Sequence, residues 1–157
     1  MNRAEFEQLY ITLYPGLYRL AQSILRQEAD AQDAVQQSAV KAWAAADRIG
    51  SGKEKAYITR IVINECRNIQ RHRRRVLPTD RQEDAADPAH PDSELKAVVD
   101  SLPETLRLPL LLRYMEGYTE AEAAAILRIT RNTLRARLKR ARAKLRDEWM
   151  ETQEETI

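Results

Sequence analysis

Apolar residues recur along most of this chain at three- and four-residue steps, the period that gathers them on one side of a helix. Phe6, Tyr10, Leu13, Leu17, Ala21 and Leu25 form the first such stripe, with Pro15 in its middle. Proline fits the first turn of a helix better than its interior. The pattern therefore predicts one helix to about Tyr14 and a second, kinked or newly started, from Pro15 to about Arg26. A third helix is expected to open at Asp30, whose carboxylate can cap it, with Asp33 near the positive end of its dipole. Val35, Ala39, Ala42, Trp43 and Ala46 line one side, and Ile49-Gly50-Ser51-Gly52 reads as a loop. A fourth helix, from about Lys53 to Arg75, is expected to bury Ile58, Ile61, Val62, Cys66 and Ile69.

The second half is patterned in the same way. Leu95, Val98, Val99 and Leu102 predict a short helix closed by Pro103, and Leu106 to Tyr114 another, with Pro109 in an early turn. Thr119 and Glu122 form a capping box for a helix carrying Ala123, Ala124, Ile126 and Leu127 on its inner face. Arg128-Ile129-Thr130 breaks that helix, and Thr130 can cap a long final one. There Leu134, Leu138, Ala141, Leu145 and Trp149 make one stripe, while Arg131, Arg135, Lys139, Arg142 and Arg146 stand together on the other side. A short capped helix, a brief turn and a helix with a basic outer face are the parts of a helix-turn-helix.

The whole is expected to be all-α: two small helical domains, residues 1–76 and 92–153, joined by a flexible acidic linker over residues 77–91. Few aromatic residues and only four glycines agree with helices rather than sheets. The net charge of +2 conceals blocks of charge. Residues 67–75 carry five Arg and one His with no acid, the stretch 80–92 is acidic, and eight Arg or Lys fall between Arg131 and Arg146. Basic helix faces of this kind suit a polyanion. The single Cys66 excludes an internal disulfide framework and reads as a small core residue. His72 and His90 have no Cys, Asp or Ser at a metal or nucleophile spacing, and no glycine-rich phosphate loop is present, so neither an enzyme nor a cofactor is expected. No segment has the length and apolarity of a signal peptide or a membrane span, so a cytoplasmic protein with no membrane insertion of its own is expected.

These residues fit a family. Asp30-Ala31-Gln32-Asp33-Ala34-Val35-Gln36, Lys41-Ala42-Trp43, Arg60-Ile61-Val62 with Asn64, Leu102-Pro103, Leu111-Leu112-Arg113-Tyr114, Gly117-Tyr118-Thr119, Glu122-Ala123-Ala124 and Arg137 to Arg142 occur in this order. In them the chain resembles the extracytoplasmic-function (ECF) group of the bacterial sigma-70 family, over almost its whole length. It departs from the family pattern at Ala39, where Phe is usual, at Tyr57 for Trp, at Ala123 for Ile, and at Arg128, where the turn commonly has Gly.

The resemblance implies a protein that joins core RNA polymerase, reads two promoter elements in DNA and starts to open them, under the control of an anti-sigma factor. Asp33 and Gln36, with Gln37, would form the polymerase-binding surface. Arg60, Asn64, Arg67, Asn68 and Arg71, one polar stripe, would hold the −10 element, and the loop from Asp47 to Lys53 would receive a base extruded from the non-template strand. At the −35 element, Arg131, Asn132 and Arg135 are expected in the major groove, Thr133 on a phosphate, and Arg137, Lys139, Arg140 and Arg142 along the flanking strand. Two other readings fit the residues alone: a stand-alone helix-turn-helix regulator, and a helical adaptor in which acidic and basic segments pair with each other.

Overall fold

The computed structural model describes residues 1–76 and 92–155, and among the described residues every regular element is a helix. The chain divides into two compact units. The first holds α1 (Arg3–Leu25), α2 (Glu28–Ala44), a single 3-10 turn (Ala46–Arg48) and α3 (Glu54–Val76). The second holds α4 (Asp92–Ser101), α5 (Glu104–Leu110), a π-helical turn (Leu111–Met115), α6 (Glu120–Leu127) and α7 (Arg131–Glu155). The expected linker over residues 77–91 lies outside the described residues.

α1 opens on a reciprocal cap: the Glu5 amide donates to Asn2 Oδ1 at 2.8 Å, and the Asn2 amide donates to Glu5 Oε2 at 3.1 Å. It then continues through Pro15, so the expected division at Tyr14 does not occur. An interior proline removes one backbone hydrogen bond and costs roughly 3 kcal/mol. Against this, Phe6 and Tyr10 before it and Leu17, Leu20, Ile24 and Leu25 after it all enter one core. Each large side chain contributes about 1.5–3 kcal/mol when fully buried, so continuity of the stripe outweighs the local defect. The helix ends at Arg26 in the left-handed region, φ 59°, whose amide returns to the Gln22 carbonyl at 2.8 Å.

α2 begins two residues before the expected cap. Its N-cap is Gln27, without a side-chain bond, and Asp30 lies inside the first turn. The Asp30 carboxylate is engaged instead by Arg73 of α3, an ion pair between helices. Ala31, Ala34, Val35, Ser38 and Ala42 are buried; Trp43 is partly exposed, its ring 5.3 Å from that of Phe6, and Ala46 falls in the 3-10 turn.

α3 packs on both α1 and α2, so the sector it buries is broader than one stripe. Ile58, Val62 and Cys66 are inside as expected, joined by Ile63, Thr59 and Glu65, while Ile61 and Ile69 sit at the margin.

Several polar groups inside this unit are matched with partners, whereas Gln22 Oε1 is buried without one among the described residues. The Tyr10 hydroxyl donates to the Val35 carbonyl, Ser38 Oγ to Ala34 O at 2.6 Å, and Lys41 pairs with the buried Glu65. Burial, and then the neighbouring Tyr14, push the Tyr10 phenol above its ordinary range, which keeps it a donor. The last carbonyls of α1 have no intrahelical donor and take theirs from α3. Gln70 Nε2 reaches Ile24 O at 3.2 Å, and Arg73 Nη1 reaches Leu25 O at 3.1 Å while its Nη2 reaches Gln27 Oε1 at 3.3 Å. Arg73, one of the five arginines in the basic block, is therefore a structural clamp.

In the second unit Leu102, Leu106, Leu110 and Ala141 form a core, with Val99 and Leu145 against it. Buried Arg107 donates from Nη1 to Leu102 O at 2.6 Å, satisfying a carbonyl just past the end of α4. α5 starts at Glu104 rather than Leu106, which places Pro109 in its interior and not in an early turn. The helix tolerates it because Leu106, Leu108, Pro109, Leu110 and Leu112 are all buried. Past Pro109 the repeat widens, with the Glu116 amide bonded to Leu111 O at 3.0 Å.

The clamp role of Arg73 separates it from its neighbour. Arg73→Ala removes two hydrogen bonds from a charged donor, worth about 1.5–3 kcal/mol each, so a loss of at least about 3 kcal/mol is expected in urea unfolding of the first unit. Arg74→Ala, at an exposed position, is expected to change stability by less than about 0.5 kcal/mol.

Candidate nucleic-acid and polymerase interfaces

The basic helix of the second unit is presented by the two local devices expected of it. Glu122 N donates to Thr119 Oγ1 at 3.1 Å and Thr119 N to Glu122 Oε1 at 3.0 Å, so α6 begins on a complete capping box. Its end is set at Arg128, in the left-handed region at φ 57°, where the Arg128 amide bonds Ala125 O at 3.2 Å and the Ile129 amide bonds Ala124 O at 3.0 Å. The Thr133 amide then donates to Thr130 Oγ1 at 3.1 Å, which caps α7. The turn thus keeps the backbone shape that glycine usually supplies, with Arg in its place.

α7 has two faces. Leu134, Leu138 and Ala141 are buried, Leu145 and Trp149 are half-buried, and Arg131, Asn132, Arg135, Lys139, Arg140, Arg142 and Arg146 are exposed. Arg137 and Thr133 lie at the boundary, and Thr130 Oγ1 donates to the Thr133 hydroxyl at 2.8 Å. Two of the exposed cations are held by other elements. Arg135 Nε donates to Glu120 Oε2 on α6 at 2.6 Å, and Arg142 Nη1 donates to the Tyr114 hydroxyl on the π-helical turn at 2.8 Å. Arg113 lies 5.7 Å from the centre of the Tyr114 ring.

The hydrogen bond from Arg135, with the charges of Arg135, Arg131 and Arg113 around it, holds the Glu120 carboxyl below the usual carboxylate range, against a smaller opposing effect of burial. The face is therefore a composite of α7, the N-terminus of α6 and the π-helical turn. In the sequence Glu120 reads as a first-turn acid and Tyr114 as the end of an apolar helix, and spacing alone does not bring either to α7.

In the first unit, Asp33, Gln36 and Gln37 are exposed on one side of α2, and Val40, 72% exposed, continues their row. On α3, Arg60, Asn64 and Arg67 are half-exposed and Asn68 and Arg71 exposed. Arg71 Nη2 donates to Asn68 Oδ1 at 2.7 Å, so the lower part of this stripe is already ordered. The segment from Asp47 to Lys53 forms a compact loop, with Gly52 at φ 83°, and borders a cleft of about 210 Å³. Phe6, Leu9, Ala46, Ile49, Ser51 and Glu54 are among its walls. No group of metal-binding side chains occurs among the described residues, and no described helix is long and apolar enough to cross a membrane.

A two-unit helical protein whose second unit carries a capped helix-turn-helix with an arginine-rich recognition face belongs to the class of DNA-binding transcription proteins. Residues 9–76 match sigma-70 region 2, and residues 92–145 match sigma-70 region 4. The chain is 30% identical over 151 residues to the ECF RNA polymerase sigma factor SigM of Mycobacterium tuberculosis, covering 92% of this chain and 76% of that one. It is 28% identical to the ECF RNA polymerase sigma factor SigE of Mycolicibacterium smegmatis over 83% of this chain; there it spans only 56% of the relative's length.

Among solved structures it is similar to the sigma factor RpoE in complex with the anti-sigma factor NepR from Bartonella quintana. That match has a TM-score of 0.82 at 28% identity and covers 94% of this chain and 97% of that one. CnrH in complex with the cytosolic domain of CnrY follows at a TM-score of 0.72 and 28% identity, covering 93% and 88%. The chain belongs to the extracytoplasmic-function sigma factors of RNA polymerase. The region 2 match over residues 9–76 favours this family over a stand-alone regulator or a helical adaptor.

The left-handed Arg128 supplies a stability test. A non-glycine residue in this conformation costs roughly 1–2 kcal/mol, partly offset by the greater unfolded-state entropy of glycine. Arg128→Gly is therefore expected to stabilise the second unit by about 0.5–1 kcal/mol in thermal or urea unfolding.

Proposed function

We propose that this sigma factor joins core RNA polymerase through the α2 face of Asp33, Gln36 and Gln37, and reads promoter DNA through α3 and α7. The observation that carries the reading is α7 itself. Its apolar side is consumed by the core, its cationic side is open, and the residues nearest its capped N-terminus, Arg131, Asn132 and Arg135, are the types that read base edges in a major groove. The domain limits that accompany this are 1–76 for polymerase and the −10 element, 77–91 for a linker, and 92–153 for the −35 element.

On α3, Arg60, Asn64, Arg67, Asn68 and Arg71 combine guanidinium groups for phosphates with amides for bases. The cleft beside the Asp47–Lys53 loop is smaller than the roughly 300–1,000 Å³ of sites for drug-sized ligands. That size and its mixed apolar and polar wall suit a single extruded base. On α7, Thr133, Arg137, Lys139, Arg140 and Arg142 would follow the phosphates flanking the −35 bases. Two structures similar to this chain are complexes, one with the anti-sigma factor NepR and one with the cytosolic domain of CnrY. A cognate anti-sigma factor that covers the polymerase and DNA faces is accordingly part of the reading, in a cytoplasmic setting.

Promoter transcription by reconstituted holoenzyme tests the assignment. Asp33→Ala and Gln36→Ala are expected to weaken capture of core polymerase with no change in thermal unfolding; undiminished capture by both would move the polymerase surface elsewhere. Across a panel of −35 variants, Arg135→Ala is expected to cost about 1–3 kcal/mol at the preferred sequence and to relax choice at one or two bases. Arg142→Ala should weaken every promoter alike and reduce the salt slope by about one unit. Equal losses on all sequences for Arg135→Ala would show that Arg135 contacts only phosphate.

A further inference from the structure

Arg135 reaches the recognition face already bound at one point. Its Nε is taken by Glu120 Oε2 at 2.6 Å, across the turn between α6 and α7. A guanidinium has two ways to grip a pair of acceptors: side-on through Nε and one Nη, or end-on through both Nη groups. Glu120 occupies the side-on edge. What remains is the end-on fork, which projects along the axis of the side chain, away from α6.

The carboxylate is itself fixed. Glu120 is the first residue of α6, directly after the Thr119 cap, so its backbone position is set by the capping box. The cations Arg131 and Arg113 also act on it, so this negative charge stands among basic side chains. Such a charge repels phosphate and penalises a DNA strand that settles against it non-specifically.

We infer that Glu120 is a positioning residue for promoter choice: it holds Arg135 in the end-on orientation that matches the O6 and N7 acceptors of guanine, and prevents Arg135 from turning to a backbone phosphate. The inference rests on the proposed −35 reading of α7 and deepens it. It assigns the base class at the Arg135 position as guanine and makes one carboxylate on the neighbouring helix responsible for that choice. A surface ion pair with no such role would leave base preference and salt dependence unchanged when broken.

The test uses holoenzyme on a −35 panel with each base at the Arg135 position, at several salt concentrations, with Glu120→Ala, Glu120→Gln, Arg135→Ala and the Glu120→Ala/Arg135→Ala double variant. Wild type should prefer guanine at one position. Glu120→Ala should reduce that preference by about tenfold. Binding to the non-preferred sequences should hold or rise, and the salt slope should steepen by about one unit as Arg135 takes up a phosphate. Glu120→Gln keeps an oxygen acceptor of the same length, so it preserves the fold and should fall between the two. In the Arg135→Ala background, Glu120→Ala should change neither base preference nor salt slope, since Glu120 acts through Arg135.

A Glu120→Ala or Glu120→Gln holoenzyme with the wild-type base profile and salt slope would overturn the positioning role while leaving −35 recognition by α7 intact. So would an equal effect of Glu120→Ala with and without Arg135. A wild-type holoenzyme indifferent to every −35 substitution would instead remove the reading of α7 on which the inference stands.

Discussion

Everything α7 can do depends on the burial of one side of it. Leu134, Leu138 and Ala141 are enclosed, and Ala141 reaches the cluster of Leu102, Leu106 and Leu110. This packing fixes the rotation of the helix about its own axis, since a helix with one apolar stripe has one low-energy way to face a core. Once that rotation is fixed, Arg135, Lys139 and Arg142 have no inward option. The arginines need no mutual attraction to stand in a row; they repel, and the leucines hold them there. The same reasoning applies to α3, where Val62, Ile63 and Cys66 turn Arg60, Asn64 and Arg71 outward.

Charge then divides into two kinds of work. Some cations are spent inside the fold: Arg73 and Arg107 satisfy carbonyls at or just beyond helix ends, and Lys41 neutralises a buried Glu65. Others are left at the surface with a single partner each, Arg135 on Glu120 and Arg142 on Tyr114. A long side chain tethered at one point loses less freedom when a ligand arrives than one that is wholly loose. The basic face of α7 is in this sense partly ordered in the free protein. Net charge says nothing of this division, because a clamp and a phosphate contact count equally in the sum.

The features legible from sequence are those governed by residues three or four apart. The Thr119–Glu122 box, the Thr130 cap and the buried Leu134–Leu138–Ala141 stripe all follow from local spacing, and all occur in the structure. What was not legible depends on partners distant in sequence. Asp30 reads as a cap until Arg73, from the far end of α3, takes its carboxylate. Pro15 reads as a break until residues on both sides of it share one core. Glu120 and Tyr114 join the recognition face only once the turn has folded α6 and the π-helical segment against α7. The candidate polymerase and −10 residues are placed on exposed helix faces by the same periodicity, but spacing alone cannot tell which arginine of a block is turned inward, and Arg73 is the one that is.

Arg73 and Gln70 also act mechanically. Together they tie the last two turns of α3 to the end of α1. The stripe from Arg60 to Arg71 lies on the N-terminal side of Arg73. Several bonds, to Ile24 O, Leu25 O, Gln27 and Asp30, must therefore yield together before the end of α3 separates from α1 and α2. Unwinding α3 from its C-terminal end would have to break the clamp before it reached the polar stripe from Arg60 to Arg71.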